Sequence, residues 1–542
     1  MKNRISNQGC GASGQTNLNR ATIAAGAQAS RLRVERVTSE IETRRRDACA
    51  PMLLAVWCCA FIFSGEISTR AEEQRKNNSS ENSRDATPIR LGVGPHLFID
   101  DFLIESSTNI QRVLNSPLRD PSLPNPVVTG PEDKNFQPFF TVVRDAVTKR
   151  FRIWYGVPAK PLGGSPSRLA YMESDDGIHW QRPHRVLENP GGLEVRFGAS
   201  VIDEGPNFPD LTRRFKFGWN WGNFKAAAPV ASDAGLMIAV SPDGFNWTPL
   251  LTNAPVLPHN HDINNIFYDP IRKRYLATVS NLVPTSDGKG KRRQPSQSFS
   301  SDLVHWSEPW PVIVPDAQDE GGDQYQYYAM SGYLARGGLL IGFAKVLRDD
   351  LPANPGENVG GIGYSILTWS RDGVHWQRDR TPFLPRNPAS NTWDHAMSWI
   401  DCQLPVGDET FIYYGGYARG HKVERWTERQ IGLVKMPRDR YVAREASAEK
   451  GMITTPLVEL GGKTLTLNIN ARGGEVRVQI VDRKNKPIKG FAFADCEVIE
   501  RNGVSERVRW KKHSDLSSLA DKPLKLQFQM RAAKLYAFQI GE

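Results

Sequence analysis

The sequence predicts an all-β protein: a five-bladed β-propeller followed by a small C-terminal β-sandwich. Three observations carry the prediction. A short turn motif recurs at spacings of 59 to 70 residues, strand-like runs precede each copy, and the repeat stops near residue 447, giving way to alternating apolar and polar segments. Composition agrees. Of 542 residues, 46 are Gly, 37 are Pro and 14 are Trp, a balance suited to short strands and tight turns rather than helical bundles.

The first 90 residues stand apart. Residues 1–47 read as a disordered extension or the product of a mis-assigned start. Arg44-Arg45-Arg46 precedes an apolar run from Met52 to Ser64, and Thr69-Arg70-Ala71 supplies small residues for cleavage. Thirteen residues fall short of the roughly 20 a membrane span needs, so 48–71 reads as a signal peptide, with a retained anchor through 48–64 as the alternative. Secretion or periplasmic residence is the expectation. Residues 72–90 are polar and read as a disordered linker.

The propeller is expected over 91–447. Its turn motif is Ser174-Asp175-Asp176-Gly177-Ile178-His179-Trp180, repeated from Ser241 to Trp247, from Ser301 to Trp306 with Leu303 in place of Gly, and from Ser370 to Trp376; Pro437–Tyr441 is a worn fifth copy. Asp-Gly favours a tight turn, because Gly takes positive φ freely and Asp bonds back to the backbone. The Trp then opens the next strand and covers a blade edge, so these turns read as structural. Strand runs precede each copy: 150–156, 214–219, 273–278, 338–343 and 410–416, and before those 136–144, 198–203, 263–269, 327–334 and 396–404. The sandwich is expected over 448–542, with strands at 465–470, 475–481, 490–494, 497–501, 506–510 and 524–529 and a turn at Asn502-Gly503. It reads as a packing buttress or a sugar-binding module.

Charge excludes one class of function. The net charge is +10, but residues 1–90 carry 14 basic and 9 acidic side chains, leaving a surplus of five on the remaining body. That is no nucleic-acid footprint. The basic run Lys289-Gly290-Lys291-Arg292-Arg293 reads as a solvated loop tip. Only Cys402 and Cys496 lie beyond residue 60, with no Cys-x-x-Cys pair, so the fold rests on its core rather than on disulfides or structural zinc.

In a propeller the heads of the inner strands converge on the axis. An acidic residue heads every blade here: Glu132 and Asp133; Glu194, beside Arg196; Asp262, with His259, His261 and Asn264; Glu320 and Asp323, with Gln324; and Asp394, between Trp393 and His395. Hydrolysis of a glycosidic bond uses one carboxylic acid to protonate the leaving oxygen and one carboxylate to activate water or attack the sugar. Asp262, Asp323 and Asp394 are the candidate catalytic acids. His261, Asn264, Gln324, Trp393, His395, Arg196 and Asp101 are the candidate substrate contacts, with Trp219 and Trp221 open to either core packing or sugar stacking. A metal site at His259, His261 and His395 is the less favoured reading; no cofactor is expected, although a structural calcium ion stays open.

Leu97-Phe98-Ile99-Asp100-Asp101-Phe102-Leu103-Ile104, the Ser-x-Asp-Gly turns, Phe267-Tyr268-Asp269-Pro270, Trp393-Asp394, Tyr413-Tyr414-Gly415-Gly416-Tyr417 and Gly490–Cys496 resemble secreted bacterial propeller proteins described as glycosyl hydrolase family 32 amino-terminal domain-like. The resemblance covers about residues 91–542. It implies a relation to the five-bladed glycoside hydrolase families 32 and 43, which set three acids around the axis, and hence a monomeric secreted enzyme cleaving a polysaccharide or oligosaccharide. The Trp-x-Asn-Asp-Pro signature of the sucrose hydrolases is absent, which puts fructan specificity in doubt. The alternative is a non-catalytic carbohydrate-binding or cell-surface propeller.

Overall fold

A computed structural model describes residues 87–542, apart from 160–166, 223–233, 424–427, 514 and 521. The extension, the signal or anchor segment and nearly all of the linker lie outside the described residues. Among those described, no helix is long and apolar enough to cross a membrane.

The innermost strands of successive blades are Gln137–Arg144, Phe197–Asp203, Asn264–Asp269, Tyr325–Arg336 and Met397–Val406; the last two blades share one seven-stranded sheet, joined by a parallel bridge between Gly363 and Met397. Blades one, three and four each add three further strands, the last a two-residue edge strand after the turn motif; blade two adds the same three and a second two-residue strand, Leu257–Pro258, paired with Ala234–Ser241. A chain of side-chain hydrogen bonds to backbone carbonyls ties neighbouring blades together. Thr141 donates to Ala199, Ser200 to Ile266, Ser280 to Tyr328 and Ser331 to Ile400, and the Cys402 thiol donates to Val142. The last link joins the blade of Met397–Val406 to that of Gln137–Arg144, so the sheets close into a ring, a propeller-like fold.

Blade five has no edge strand of its own after Tyr441. Its third strand, Arg429–Pro437, is instead covered by residues 118–128 from before blade one. Val128 bridges Ile431, and the Asn125 side chain both donates to the Leu433 carbonyl and accepts from its amide. The chain thus fastens its own ring by laying the segment just before blade one against its last blade.

The turn motif works as read. Ser174 Oγ accepts from Gly177 N at 2.9 Å, and Asp176 Oδ1 accepts from the amides of Ile178 and His179, each at 2.8 Å. Gly177 has φ 76°. In the third copy Leu303 takes φ 71° and bonds to Ser300, so Ser300 rather than Ser301 is the motif serine. These turns also clamp blades together: Trp154 Nε1 donates to Gly244 O and Tyr413 OH to Gly177 O.

Two differences from the sequence reading have clear causes. Residues 89–114 do not belong to the propeller. Ile89–Leu91 pairs with Val458–Leu460, Gly94–Leu97 with Ala533–Gly541, Ser106–Thr108 with Gly451–Thr454 and Gln111–Leu114 with Val442–Ala446. The sandwich is therefore built from both ends of the described chain, and Phe98 and Leu103 lie in its core with Phe528, Phe538 and Trp510. Nothing in a local pattern announces a partner about 400 residues away. Second, Asn502-Gly503 opens the strand Asn502–Arg507 instead of forming a turn, and 490–494 and 497–501 form no named strands. The segments at 464–470, 475–481 and 525–531 are strands, within a residue or two of the expected bounds.

Candidate functional site at the head of the propeller

The inner strands all begin on one face. Phe139, Phe197, Ile263, Tyr328 and Met397, one from each blade, lie in a single apolar cluster near their heads. Antiparallel pairing returns the second strand of each blade to this face and starts the third strand there. At the opposite ends of the inner strands lies a cavity of about 280 Å³ lined by residues including Val143, Ile202, Phe267, Tyr333 and Leu404. Between the two, Lys345 donates to Asp401 Oδ1 at 2.6 Å, both groups buried, with Lys345 over the ring of Phe139. Burial pushes the Asp401 carboxyl up to about 6 against the opposing pull of Lys345.

Tyr328 marks the axis on the head side. The register of its strand shifts between Tyr327 and Ala329, which makes Tyr328 the extra residue of a bulge and re-aims its side chain. Its ring stacks on Phe139 of blade one and packs against Trp399 and His421 of blade five and His261 of blade three. Arg293, from the third strand of blade three, lies 4.9 Å from the same ring.

Around this ring a polar cluster is assembled from blades three, four and five. Arg293 donates to Gln326 Oε1 and to Asp349 Oδ2 at 2.9 and 3.0 Å. Asp349, at the end of the second strand of blade four, also faces His421. Asp262 Oδ1 lies 2.8 Å from His261 Nδ1, and the Tyr328 hydroxyl approaches both its oxygens at 3.4 Å. Burial would raise the pKa of either acid. At Asp262 the charge and hydrogen bond of His261, with Arg293 and His421, outweigh it and hold the carboxyl well below its ordinary range. At Asp349 the hydrogen bond and charge of His421, with Arg293 and Lys422, bring it down to about 2. Both are carboxylates at neutral pH. Burial lowers His421 to about 4 and His259 to about 3.

The structure does not gather the three sequence-nominated acids. Asp262 belongs to the cluster. Asp323 sits in a short 3-10 turn, where Ser286 and Arg292 take its two oxygens. Asp394 is 1% exposed and enclosed by Arg119 Nε at 2.6 Å, Tyr414 OH at 2.9 Å and Asn387 Nδ2 at 2.9 Å. Every one of its short contacts is already made within the fold.

The nominated substrate contacts divide likewise. His261 lies in the cluster, and Asn264, buried beside it at the strand head, makes no side-chain hydrogen bond among the described residues. Arg196 heads blade two and faces Glu194 at 3.2 Å. Gln324 is exposed on the same 3-10 turn as Asp323. Trp393 stacks on Tyr414 and covers Gly416 and Gly432, so it packs on blade five. His395 has both ring nitrogens occupied, by Asn387 O and Asn354 Oδ1. Asp101 is exposed and pairs with Arg444 of the sandwich. Trp219 is fully buried in the core between blades one and two. Among the described residues no group of three or more His, Cys, Asp or Glu is placed to hold a metal ion.

Sequence reasoning missed Arg293, Tyr328, Asp349 and His421. Arg293 lay in the supposed loop tip, but Lys291–Ser300 is a strand and only residues 285–290 turn. Its pairing with Arg274–Pro284 turns Arg293 inward towards Asp349.

No family model and no curated protein matches this chain. Solved structures similar to it include a glycoside hydrolase (13% identity over 67% of this chain and 94% of that one, TM-score 0.40). An N-acetylgalactosamine deacetylase from F. plautii in complex with blood group B trisaccharide is 16% identical over 65% and 96%, TM-score 0.38. A glycosyl hydrolase from Bacteroides ovatus is 14% identical over 61% and 95%, TM-score 0.40.

Proposed function

We propose that the protein is a secreted glycoside hydrolase that cleaves an oligosaccharide or polysaccharide at the head of the propeller, with Asp262 and Asp349 as its carboxylates. One observation carries the reading: two ionised carboxylates from different blades are joined through one tyrosine and one arginine, Asp262 facing the Tyr328 hydroxyl and Asp349 bonding Arg293, which packs on the Tyr328 ring. Glycosidic cleavage passes through an oxocarbenium-like state that nearby carboxylates stabilise, and one of them can take a proton from water. The Arg293 guanidinium, 3.0 Å away, keeps Asp349 charged for either task. Of the acids nominated from sequence, Asp262 is retained in this role; Asp323 and Asp394 are assigned to holding their own loops.

The test is a screen of the full chain against marine and plant polysaccharides, with product analysis. Asp262→Asn and Asp349→Asn should each lower kcat by at least about 100-fold on any glycan cleaved, whereas Asp323→Asn should leave it within a few-fold. Wild-type rates in both of the first two variants would sink the assignment. A second reading, a carbohydrate-binding propeller without hydrolysis, is favoured by one fact: neither carboxylate carries a proton to donate. Glycan binding that survives both substitutions, with no cleavage by the wild type, would establish it.

A further inference from the structure

Cleaving a glycosidic bond needs a proton on the departing oxygen, and Asp262 and Asp349 are both held without one. The donor must be sought among the other groups of the cluster. We infer that His261 is the proton donor, acting through Nε2, with Asp262 as the residue that positions its ring; this rests on the hydrolase reading above.

The geometry is that of an oriented imidazole. His261 Nδ1 lies 2.8 Å from Asp262 Oδ1 and 3.1 Å from Ser280 Oγ. Ser280 Oγ already donates to the Tyr328 carbonyl at 2.9 Å, so it meets Nδ1 as an acceptor. Ser280 Oγ is an acceptor in hydrogen-bonding geometry, so Nδ1 carries hydrogen, with the Asp262 carboxylate beside it. The ring nitrogen left for exchange is Nε2, which has no hydrogen-bond partner among the described residues. A carboxylate on one ring nitrogen fixes the tautomer and stabilises the imidazolium when the other nitrogen is protonated. The frame is stiff as well. Asn220 Nδ2 donates to the His261 carbonyl at 3.0 Å, and the Tyr328 ring meets the imidazole edge-on at 5.7 Å. The groups facing this ring are Asp262, Ser280, Tyr328 and His259, with Arg293 and His421 on other sides of Tyr328.

The other histidines here are placed differently. His395 spends both nitrogens on Asn387 and Asn354. His421 stands 3.5 Å from Asp349, and burial holds it neutral down to about pH 4.

The step balances with water as co-reactant. The step starts from the imidazolium: its Nε2 proton passes to the glycosidic oxygen as the bond from that oxygen to the anomeric carbon breaks, the bonding pair leaves with the oxygen, and the ring is left neutral with hydrogen on Nδ1. Water adds to the anomeric carbon and gives its proton to the Asp349 carboxylate. That proton returns through solvent to His261, restoring both groups.

The test uses the full chain and phenyl and 2,4-dinitrophenyl α- and β-glycosides of glucose, galactose, mannose, xylose, arabinose and glucuronic acid. Dinitrophenolate leaves without a proton; phenolate and sugar oxygens need one far more. His261→Gln should cut turnover of the phenyl glycoside at least about 100-fold while the dinitrophenyl glycoside stays within ten-fold of wild type. Asp349→Asn should slow both. If His261→Gln slows both equally, or neither, the donor assignment fails while the hydrolase reading stands. If the wild type cleaves none of these glycosides, both fail. A readout independent of turnover is the ring tautomer of His261 by nitrogen NMR: the neutral ring should carry its hydrogen on Nδ1, and Asp262→Asn should raise the share of the Nε2–H form; a tautomer ratio unchanged by the substitution overturns the pairing.

Discussion

At the residue scale, the two clusters near the axis differ in exposure: Asp262 and Asp349 keep part of their side chains in solvent, whereas Lys345 and Asp401 are buried. Lys345 and Asp401 are buried with each other as sole charged partners. Lys345→Met leaves Asp401 stranded and should destabilise the protein by about 3–5 kcal/mol, whereas the double change Lys345→Met with Asp401→Leu should recover most of that loss; chemical denaturation measures both. Asp349 supplies the pH dependence. Its carboxyl titrates near 2 in the folded protein against 3.8 when unperturbed. A depressed carboxylate adds stability above the unfolded value and loses it as pH falls through the folded one. The contribution should be about 2 kcal/mol at neutral pH, fading between pH 4 and 2, and Asp349→Asn should flatten that part of the stability–pH curve. A curve unchanged by the substitution would remove the argument for its ionised state.

At the scale of elements, the turn motif was the most legible feature of the sequence, because its chemistry is local. A serine, an aspartate and a residue at positive φ satisfy one another within seven positions, and even Leu303 obeys. Gly177 shows what such a turn adds beyond its own bonds. A Cβ there would stand 2.5 Å from Tyr413 Oη and 2.9 Å from Phe151, on top of φ 76°. Gly288 has φ 68° with nothing within 4 Å. Gly288→Ala should cost about 1 kcal/mol from backbone strain alone, and Gly177→Ala clearly more; thermal unfolding of the two variants separates strain from clash. The site was less legible for a reason of topology. Inspecting only the heads of inner strands found His261 and Asp262. It passed over Asp349, at the end of a second strand, and Arg293, at the start of a third, although antiparallel pairing delivers both to the same face. It also chose Asp394, which precedes its strand closely in sequence yet is drawn to Arg119, a residue far earlier in the chain. Strands can be read from neighbours; this partner could not.

At the scale of the whole molecule, ring and sandwich share one chain in an interleaved order. Removing residues 447–542 would strip the partners from Ile89–Leu91, Gly94–Leu97 and Ser106–Thr108 and expose Phe98 and Leu103. That truncation should yield insoluble protein, because bare strand edges and apolar surface invite association. A protein lacking residues 87–110 as well should be recovered in soluble form at higher yield, as measured by size-exclusion chromatography. Equal solubility of the two truncations would show that the early strands need no partner.

The early strands that enter the sandwich carry a further consequence, for biogenesis. Gly94–Leu97 pairs with Ala533–Gly541, roughly 440 residues later. While the polypeptide is being made, its early strands wait, unpaired, through the emergence of the blades. All of the intervening residues must be delivered before the seam can be stitched, so arrest or cleavage among them leaves an adhesive edge exposed, and this protein is expected to lean on holding chaperones during synthesis.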